Sequence, residues 1–400
     1  RGGDWLELAS AFAERMLPEI FRTSDPVLKL ALPPETRSKL ETVLKALPRD
    51  IFVADDSLGW VYQYWQADRK DEVNKSEKKV GADELPAVTQ LFTEDYMVLF
   101  LLHNTLGAWW AGKVLAAKPE LARLAKNEDE LRAACAIDGI EWAYLRFVRD
   151  GDQPWGLAAG TFNGWPKTAK EITLLDPCMG SGHFLLFALP ILVAFRGAEE
   201  GLTREDAIDS VLRDNLFGLE IDPRCTQIAA FNLALAAWRT VGHRPLPRLH
   251  LACSGLSLGV NKVEWGKLAE RAAASSSVPP ERDLLGTKDN LFSARIKTGL
   301  ERLYDVFVQA PVLGSLINPR SVRGDMFAAE FAQLEPMLGE ILDTTKTDEL
   351  AEMAVAAQGM AKAAELLAKQ FTLVATNVPY LGREMQVENL RDFCDEFYPL

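Results

Sequence analysis

Apolar residues recur at spacings of three and four through the first ninety positions. Trp5, Leu8, Phe12 and Met16 form one such set; Leu40, Val43, Leu44 and Leu47 form another, closed by Pro48. That period places each set on one face of a helix. The stretch at 68–79 breaks the pattern with charges of both signs and reads as a solvated loop rather than a phosphate-binding segment. From about Thr173 the texture changes. Short apolar runs at 172–175, 216–221 and 249–253 alternate with helical patterns at 184–195 and 225–238. Short apolar strands alternating with helices predict an α/β fold whose parallel sheet is covered on both faces. The alternation then stops. Residues 256–370 carry an Ala/Ser/Pro stretch and Ala-, Glu- and Leu-rich periods such as 348–369, which predict a helical insertion. A strand returns at 371–376, most simply as the fourth of the same sheet. Four parts follow: a helical region at 1–90, the first part of the sheet domain at 91–255, the insertion at 256–370, and the returning strand and its loop at 371–400.

Composition narrows the class. With 48% apolar and 25% charged residues the chain reads as a soluble globular protein, and 400 residues suit two or three packed units. The longest apolar run, 184–195, is too short to span a bilayer, so no membrane association is expected. Five widely spaced cysteines, never in a C-x-x-C pair, and four histidines without H-E-x-x-H spacing predict neither a disulfide framework nor a metal site. With no signal peptide at the start, this favours the reducing cytoplasm. The chain opens on Arg1 and stops at Leu400 without a natural ending, so it is expected to be part of a longer polypeptide. Its net charge of −13 runs against a phosphate-binding surface. On charge alone, either the basic surface lies elsewhere in that polypeptide or the protein does not bind nucleic acid.

The candidate chemistry sits at the predicted strand ends. The first strand runs into Asp176-Pro-Cys-Met-Gly180-Ser-Gly182-His183, where a Gly-x-Gly turn before a helix lets a ligand approach the backbone. A dinucleotide fingerprint would need a third glycine where Leu185 stands, and no Gly-Lys-Ser/Thr of a phosphate loop follows. The second strand ends in Gly218-Leu-Glu220-Ile221-Asp222-Pro223. An acid at the carboxyl edge of an α/β sheet lies in the ligand crevice. Glu220 can accept both ribose hydroxyls of a nucleoside there, and Ile221 can lie against the base. Asp222-Pro223 reads more simply as an N-cap followed by proline at the first helical position. Ser254, after the third strand, is a candidate contact to the base edge. After the returning strand comes Asn377-Val378-Pro379-Tyr380. An Asn oxygen and the following carbonyl can accept the two hydrogens of an exocyclic amine, while Tyr380 stacks on a planar ring.

Taken in this order, the three motifs resemble the amino-methyltransferases of DNA in which the cofactor motifs precede the catalytic one. The stretches at 56–62 (Asp-Ser-Leu-Gly-Trp-Val-Tyr), 84–93 and 104–110 are similar to adenine methyltransferases of the BREX phage-exclusion system and to fused type II restriction–methylation enzymes. The resemblance covers most of the chain from about Asp56. It implies a Rossmann-like S-adenosylmethionine-dependent methyltransferase fold, and methylation of the exocyclic amine of adenine in double-stranded DNA. Other proteins of a defence system are implied partners. By the same resemblance Thr93, Asp176, Gly180, Gly182, Glu220, Ile221 and Ser254 hold S-adenosylmethionine, and Asn377, Val378, Pro379 and Tyr380 grip the target amine. Two positions depart from the family: Glu94 replaces a proline after Thr93, and Val378 replaces the first proline of the catalytic motif. The Val378 carbonyl remains available, without the fixed φ that proline supplies. For Thr93 the local alternative is the cap of the helix carrying Met97 and Leu101. Two other functions stay open: a non-catalytic cofactor-binding scaffold, which Val378 favours, and a glutamine methyltransferase of release factors, against which the large insertion weighs. A DNA-recognition domain is expected beyond Leu400.

Overall fold

The computed structural model describes residues 5–16, 30–53, 56–76, 79–81, 84–89, 93–255, 262–275, 288–319, 348–378 and 381–398. The helical period of the first ninety residues is realised as α1 (Trp5–Met16), α2 (Pro34–Ala46), α3 (Ser57–Ser76) and α4 (Leu85–Thr89). The charge run that reads as a loop is a correction: residues 68–76 are the last turns of α3. Lys, Glu, Asp and Arg are tolerated in an exposed helix, and Arg69 pairs with Glu72 one turn on at 3.3 Å. The apolar faces of α1 and α2 are left open among the described residues, with Phe12 53% and Val43 58% exposed.

Next come α5 (Asp95–Leu102), a π-helical turn (His103–Gly107), α6 (Ala108–Ala117), α7 (Pro119–Leu124) and α8 (Glu128–Ala134). Asn104 lies in the π turn. Its side-chain nitrogen donates to the carbonyls of Phe100 and Tyr144, and its oxygen accepts from the Arg146 amide at 3.0 Å. A small antiparallel pair, β1 (Phe147–Val148) and β2 (Gly156–Leu157), precedes the main sheet.

The main sheet contains β3 (Leu174–Asp176), β4 (Leu216–Glu220), β5 (His250–Cys253) and β6 (Leu373–Val374), all parallel, in the order β5-β4-β3-β6. The chain builds outward from β3 to β5, then returns to the other side of β3. Side chains alternate across the sheet as the pleat requires. Leu174, Leu216, Leu251 and Ala375 enter one core with α9 (His183–Glu200), α10 (Arg204–Asp214) and α11 (Pro223–Val241). Leu175, Phe217, Leu219 and Ala252 enter the other. That second core is filled by α12 (Lys262–Ser275), α13 (Lys288–Phe307), α14 (Ala310–Leu313), α15 (Asp348–Ala368) and α16 (Glu388–Phe397). All regular elements described between β5 and β6 are helical, and they cover one face of the sheet rather than standing apart from it. No helix among the described residues is long and apolar enough to cross a membrane.

The N-terminal half is fastened to the sheet layer through Phe195 of α9. Its ring stacks on Trp110 at 5.0 Å and meets Trp109 and Trp142 at 5.7 and 6.2 Å. Beside it the buried Arg196 binds Glu200, Asp214 and Asn215, and Asn215 donates to the carbonyls of Ala169 and Ile172 just before β3. Phe195→Ala is therefore expected to cost about 3–5 kcal/mol of stability. Urea unfolding measures it, and a loss under about 1 kcal/mol would show that the aromatic cluster is not the fastening.

Candidate functional site

The carboxyl edge of the sheet gathers the chemistry. The turn after β3 bends back onto β4: Met179 donates its amide to the Leu219 carbonyl, and Gly180 donates to Glu220 Oε2 at 2.8 Å. Gly180 and Gly182 adopt φ of 54° and 88°, left-handed values open to glycine at little cost, and Gly182 caps α9. Glu220 is buried, and its Oε1 accepts the Asp222 amide at 3.0 Å. Asp176 is buried on the neighbouring strand, opposite Gly218 in register, and accepts the Cys178 amide at 3.1 Å. Burial pushes the Asp176 carboxyl up to about 7; the Thr376 hydroxyl and the Cys178 amide oppose the rise, and nearby Glu220 adds to it. Burial likewise raises Glu220, against the amides of Asp222 and Gly180. Asp222 is the N-cap of α11, accepting the Arg224 amide, with Pro223 as the first helical residue.

The third strand adds Ser254, fully buried, whose amide continues the ladder to the Glu220 carbonyl at 2.7 Å. Ile221 lies half-buried between this strand end and a turn the motifs did not flag. There Ser315 donates to the Pro177 carbonyl and lies 3.3 Å from Ser254 Oγ. At Gly314 an added Cβ would stand 3.2 Å from Ile221 Cδ1.

The fourth strand is held against β3 by a reciprocal threonine pair. Thr372 donates its amide to Thr173 Oγ1 at 3.0 Å and Thr173 returns the bond at 3.2 Å. Ala375 then donates to the Leu175 carbonyl, which sets Thr376 beside Asp176 and Asn377 one residue further along the same edge. Asn377 and Val378 are exposed there, while Pro379 and Tyr380 lie outside the described residues. Thr93 is half-buried just before α5, and the cap alternative finds no support: Glu94 is the N-cap and makes no side-chain cap bond.

The sequence reading missed a set of N-terminal side chains on the glycine loop. Asp56 binds Ser181 and Asn232, Asp95 meets His183 at 2.9 Å, and Tyr62 donates to Asp222. Contacts 88 to 176 residues apart leave no local period to detect. A separate cleft of 980 Å³, lined by residues including Trp110, Ile140, Pro190 and Arg239, contains none of the strand-end residues. Among the described residues no group of His, Cys, Asp and Glu is placed to hold a metal ion.

The chain is thus an α/β protein with a parallel four-stranded sheet, whose carboxyl edge carries two buried carboxylates and a Gly-x-Gly turn. It is 28% identical over 390 residues to adenine-specific methyltransferase PglX of Lacticaseibacillus casei (strain Zhang), covering 96% of the chain and 29% of that protein. To adenine-specific methyltransferase BrxX of Escherichia coli O9:H4 (strain HS) it is 28% identical over 394 residues, 96% of the chain and 30% of the relative. A PglX of Streptomyces coelicolor matches 58% of the chain at 25% identity. No protein-family profile matches. The resemblance read from the motifs to phage-defence adenine methyltransferases is borne out by these relatives, and the chain spans under a third of the length of the first two.

The buried Asp176 has a consequence for stability. Its folded pKa, about 7, exceeds the value of 3.8 it would have unfolded. Between those values the folded state holds the proton and the unfolded state does not, so this residue's contribution to stability falls as pH rises and then stays level. Asp176→Asn is expected to raise the melting temperature relative to the parent protein, with a gain that grows from about pH 4 to pH 7 and no further. A gain independent of pH, measured by calorimetry, would show that the carboxyl titrates normally.

Proposed function

We propose that this chain forms the S-adenosylmethionine-binding and methyl-transfer part of a DNA adenine methyltransferase acting in bacterial phage defence. The observation that carries the reading is the alignment of Ser254, Glu220, Asp176 and Asn377 on the ends of four adjacent parallel strands. In open α/β sheets the strand-end crevice beside the reversal of strand order, here between β3 and β6, is where ligands bind.

The donor set suits the cofactor. The groups acting on Asp176 and Glu220 are amides, the Thr376 hydroxyl and other carboxylates, an environment that repels phosphate and favours hydroxyl donors or a cation. Glu220 would accept the ribose hydroxyls, Ile221 would lie on the adenine face, and Ser254 would meet its polar edge. The open backbone at Gly180 and Gly182, with Asp176 and Thr93, would hold the methionine end. S-adenosylmethionine supplies an electrophilic methyl group on a sulfonium sulfur. Asn377 and the Val378 carbonyl would accept the two amine hydrogens of a target adenine and so turn the nitrogen lone pair toward the methyl group. Catalysis then rests on orientation and exclusion of water. The base has to leave the duplex stack, at a cost of a few kcal/mol. With 44 basic against 57 acidic residues, this chain offers little to offset that cost, so the strand contacts are assigned to a region corresponding to the part of the relatives' length that this chain does not span.

The test is methyl transfer from labelled S-adenosylmethionine to unmethylated DNA by the intact protein. Asn377→Ala is expected to lower turnover about a hundredfold or more with cofactor affinity retained. Glu220→Ala is expected to weaken cofactor binding by about 1.5–3 kcal/mol in calorimetry. Tight cofactor binding without turnover by the parent protein would favour the scaffold reading, and no change on either substitution would reject the site.

A further inference from the structure

The segment Asp56-Ser-Leu-Gly-Trp-Val-Tyr62 has no part in the chemistry above, yet it reaches both acidic turns of the crevice. Asp56 has φ of 51°, the one non-glycine residue with positive φ among those described. Of the residues with a side chain, Asp and Asn tolerate that conformation best. Its buried carboxylate accepts the Gly59 amide at 3.1 Å, Asn232 Nδ2 at 2.6 Å and the hydroxyl of Ser181, the middle residue of the Gly-x-Gly turn. Asn232 spends its second hydrogen on the Ser181 carbonyl at 3.0 Å. Gly59 closes over this carboxylate so tightly that an added Cβ would stand 2.3 Å from Asp56 Oδ1. One and a half helical turns on, Tyr62 donates to Asp222 Oδ2 beyond Glu220, and Gln66 donates to the Tyr62 oxygen.

His183 joins this segment to a second one. Its Nδ1 lies 3.3 Å from Asp56 Oδ2, and its Nε2 lies 2.9 Å from Asp95 Oδ1 at the start of α5. Phe187 stacks on the ring from the same helix at 5.2 Å. The Nδ1 contact lacks hydrogen-bond geometry and is an ion pair when the ring is protonated, whereas Nε2 hydrogen-bonds Asp95.

We propose that residues 56–62 form a clasp that holds the glycine turn in its ligand-binding conformation, with Asp56 and Tyr62 as positioning residues and His183 as the joint to α5. The proposal rests on the reading of the crevice as the cofactor site. The physical reason is entropic. Two left-handed glycines within three residues have little local preference for one shape, so ordering them on binding lowers affinity unless other contacts have already done so. The clasp ties Ser181 between them and Asp222 on the opposite turn to the start of one helix, α3. Burial lowers the His183 pKa, but the hydrogen bonds and charges of Asp56 and Asp95 outweigh it and raise the group above its ordinary value. The charge attraction of the joint to Asp56 and Asp95 is therefore fully present below about pH 6.5 and is lost as pH rises through the raised value.

The test uses the intact protein with Asp56→Asn, which keeps the shape and the tolerance of positive φ but removes the charge, and Tyr62→Phe. Two quantities are measured: amide exchange in peptides covering 176–186 without ligand, and S-adenosylmethionine affinity by calorimetry at about pH 6 and about pH 9. The expected result for Asp56→Asn is faster exchange and about tenfold weaker binding at the lower pH, with the pH dependence of the parent protein flattened. Tyr62→Phe should move both in the same direction by a smaller factor. Unchanged exchange in both variants overturns the clasp, whether or not the parent protein binds cofactor. If the parent protein binds no cofactor while exchange rises in the variants, the crevice assignment falls and the clasp stands. A thermal melt identifies a variant that fails to fold, and the other variant then decides.

Discussion

The structure depends on how two buried carboxylates on neighbouring strands are satisfied. Asp176 and Glu220 end β3 and β4, and neither has a lysine or arginine to neutralise it among the groups that act on it. Burying such groups is costly unless hydrogen bonds replace the lost water. Here the replacements are backbone amides, of Cys178 for Asp176 and of Gly180 and Asp222 for Glu220. The turn after β3 therefore folds back onto β4 through two left-handed glycines, while the turn after β4 supplies the Asp222 amide without a glycine. The direct outcome is a pair of buried carboxylates at the sheet edge held by main-chain amides.

That constraint also explains why so much of the molecule converges on the same edge. The register of β4 and β6 against β3 sets which residues reach it, and the threonine pair at 173 and 372 fixes the last of these. The helices between β5 and β6 close the second core and bring Gly314 and Ser315 to Ile221 and Ser254. On the other side, α5 and α3 bring Asp95, Asp56 and Tyr62 to the loops. The site is shared among segments spread over some three hundred positions.

How much of this was legible varies with the range of the interaction. The strands and the helices between them were readable because apolar period and turn residues are local signals, and strand ends shifted by only one or two positions, as at Leu174–Asp176. The glycine turn, Glu220 and the Asp222-Pro223 cap were readable for the same reason. The part of the charge run at 68–76 was misread as a loop because polarity says that a segment is solvated, not that it is irregular. The helical layer between β5 and β6 was recognised as helical, but its place against the sheet depends on Phe217, Leu219, Trp265 and Met360 meeting in space. Asp56, Asp95 and Tyr62 were invisible as site neighbours, since each finds its partner across 88 to 160 residues.

The most direct measurement of the central claim is a crystal structure of the intact protein with S-adenosylhomocysteine. The account predicts its ribose hydroxyls on Glu220, its adenine against Ile221 and Ser254, and its amino-acid end over Gly180 and Gly182. Density for the ligand in the separate cleft between Trp110 and Pro190, with the strand-end crevice still closed by its own hydrogen bonds, would contradict it.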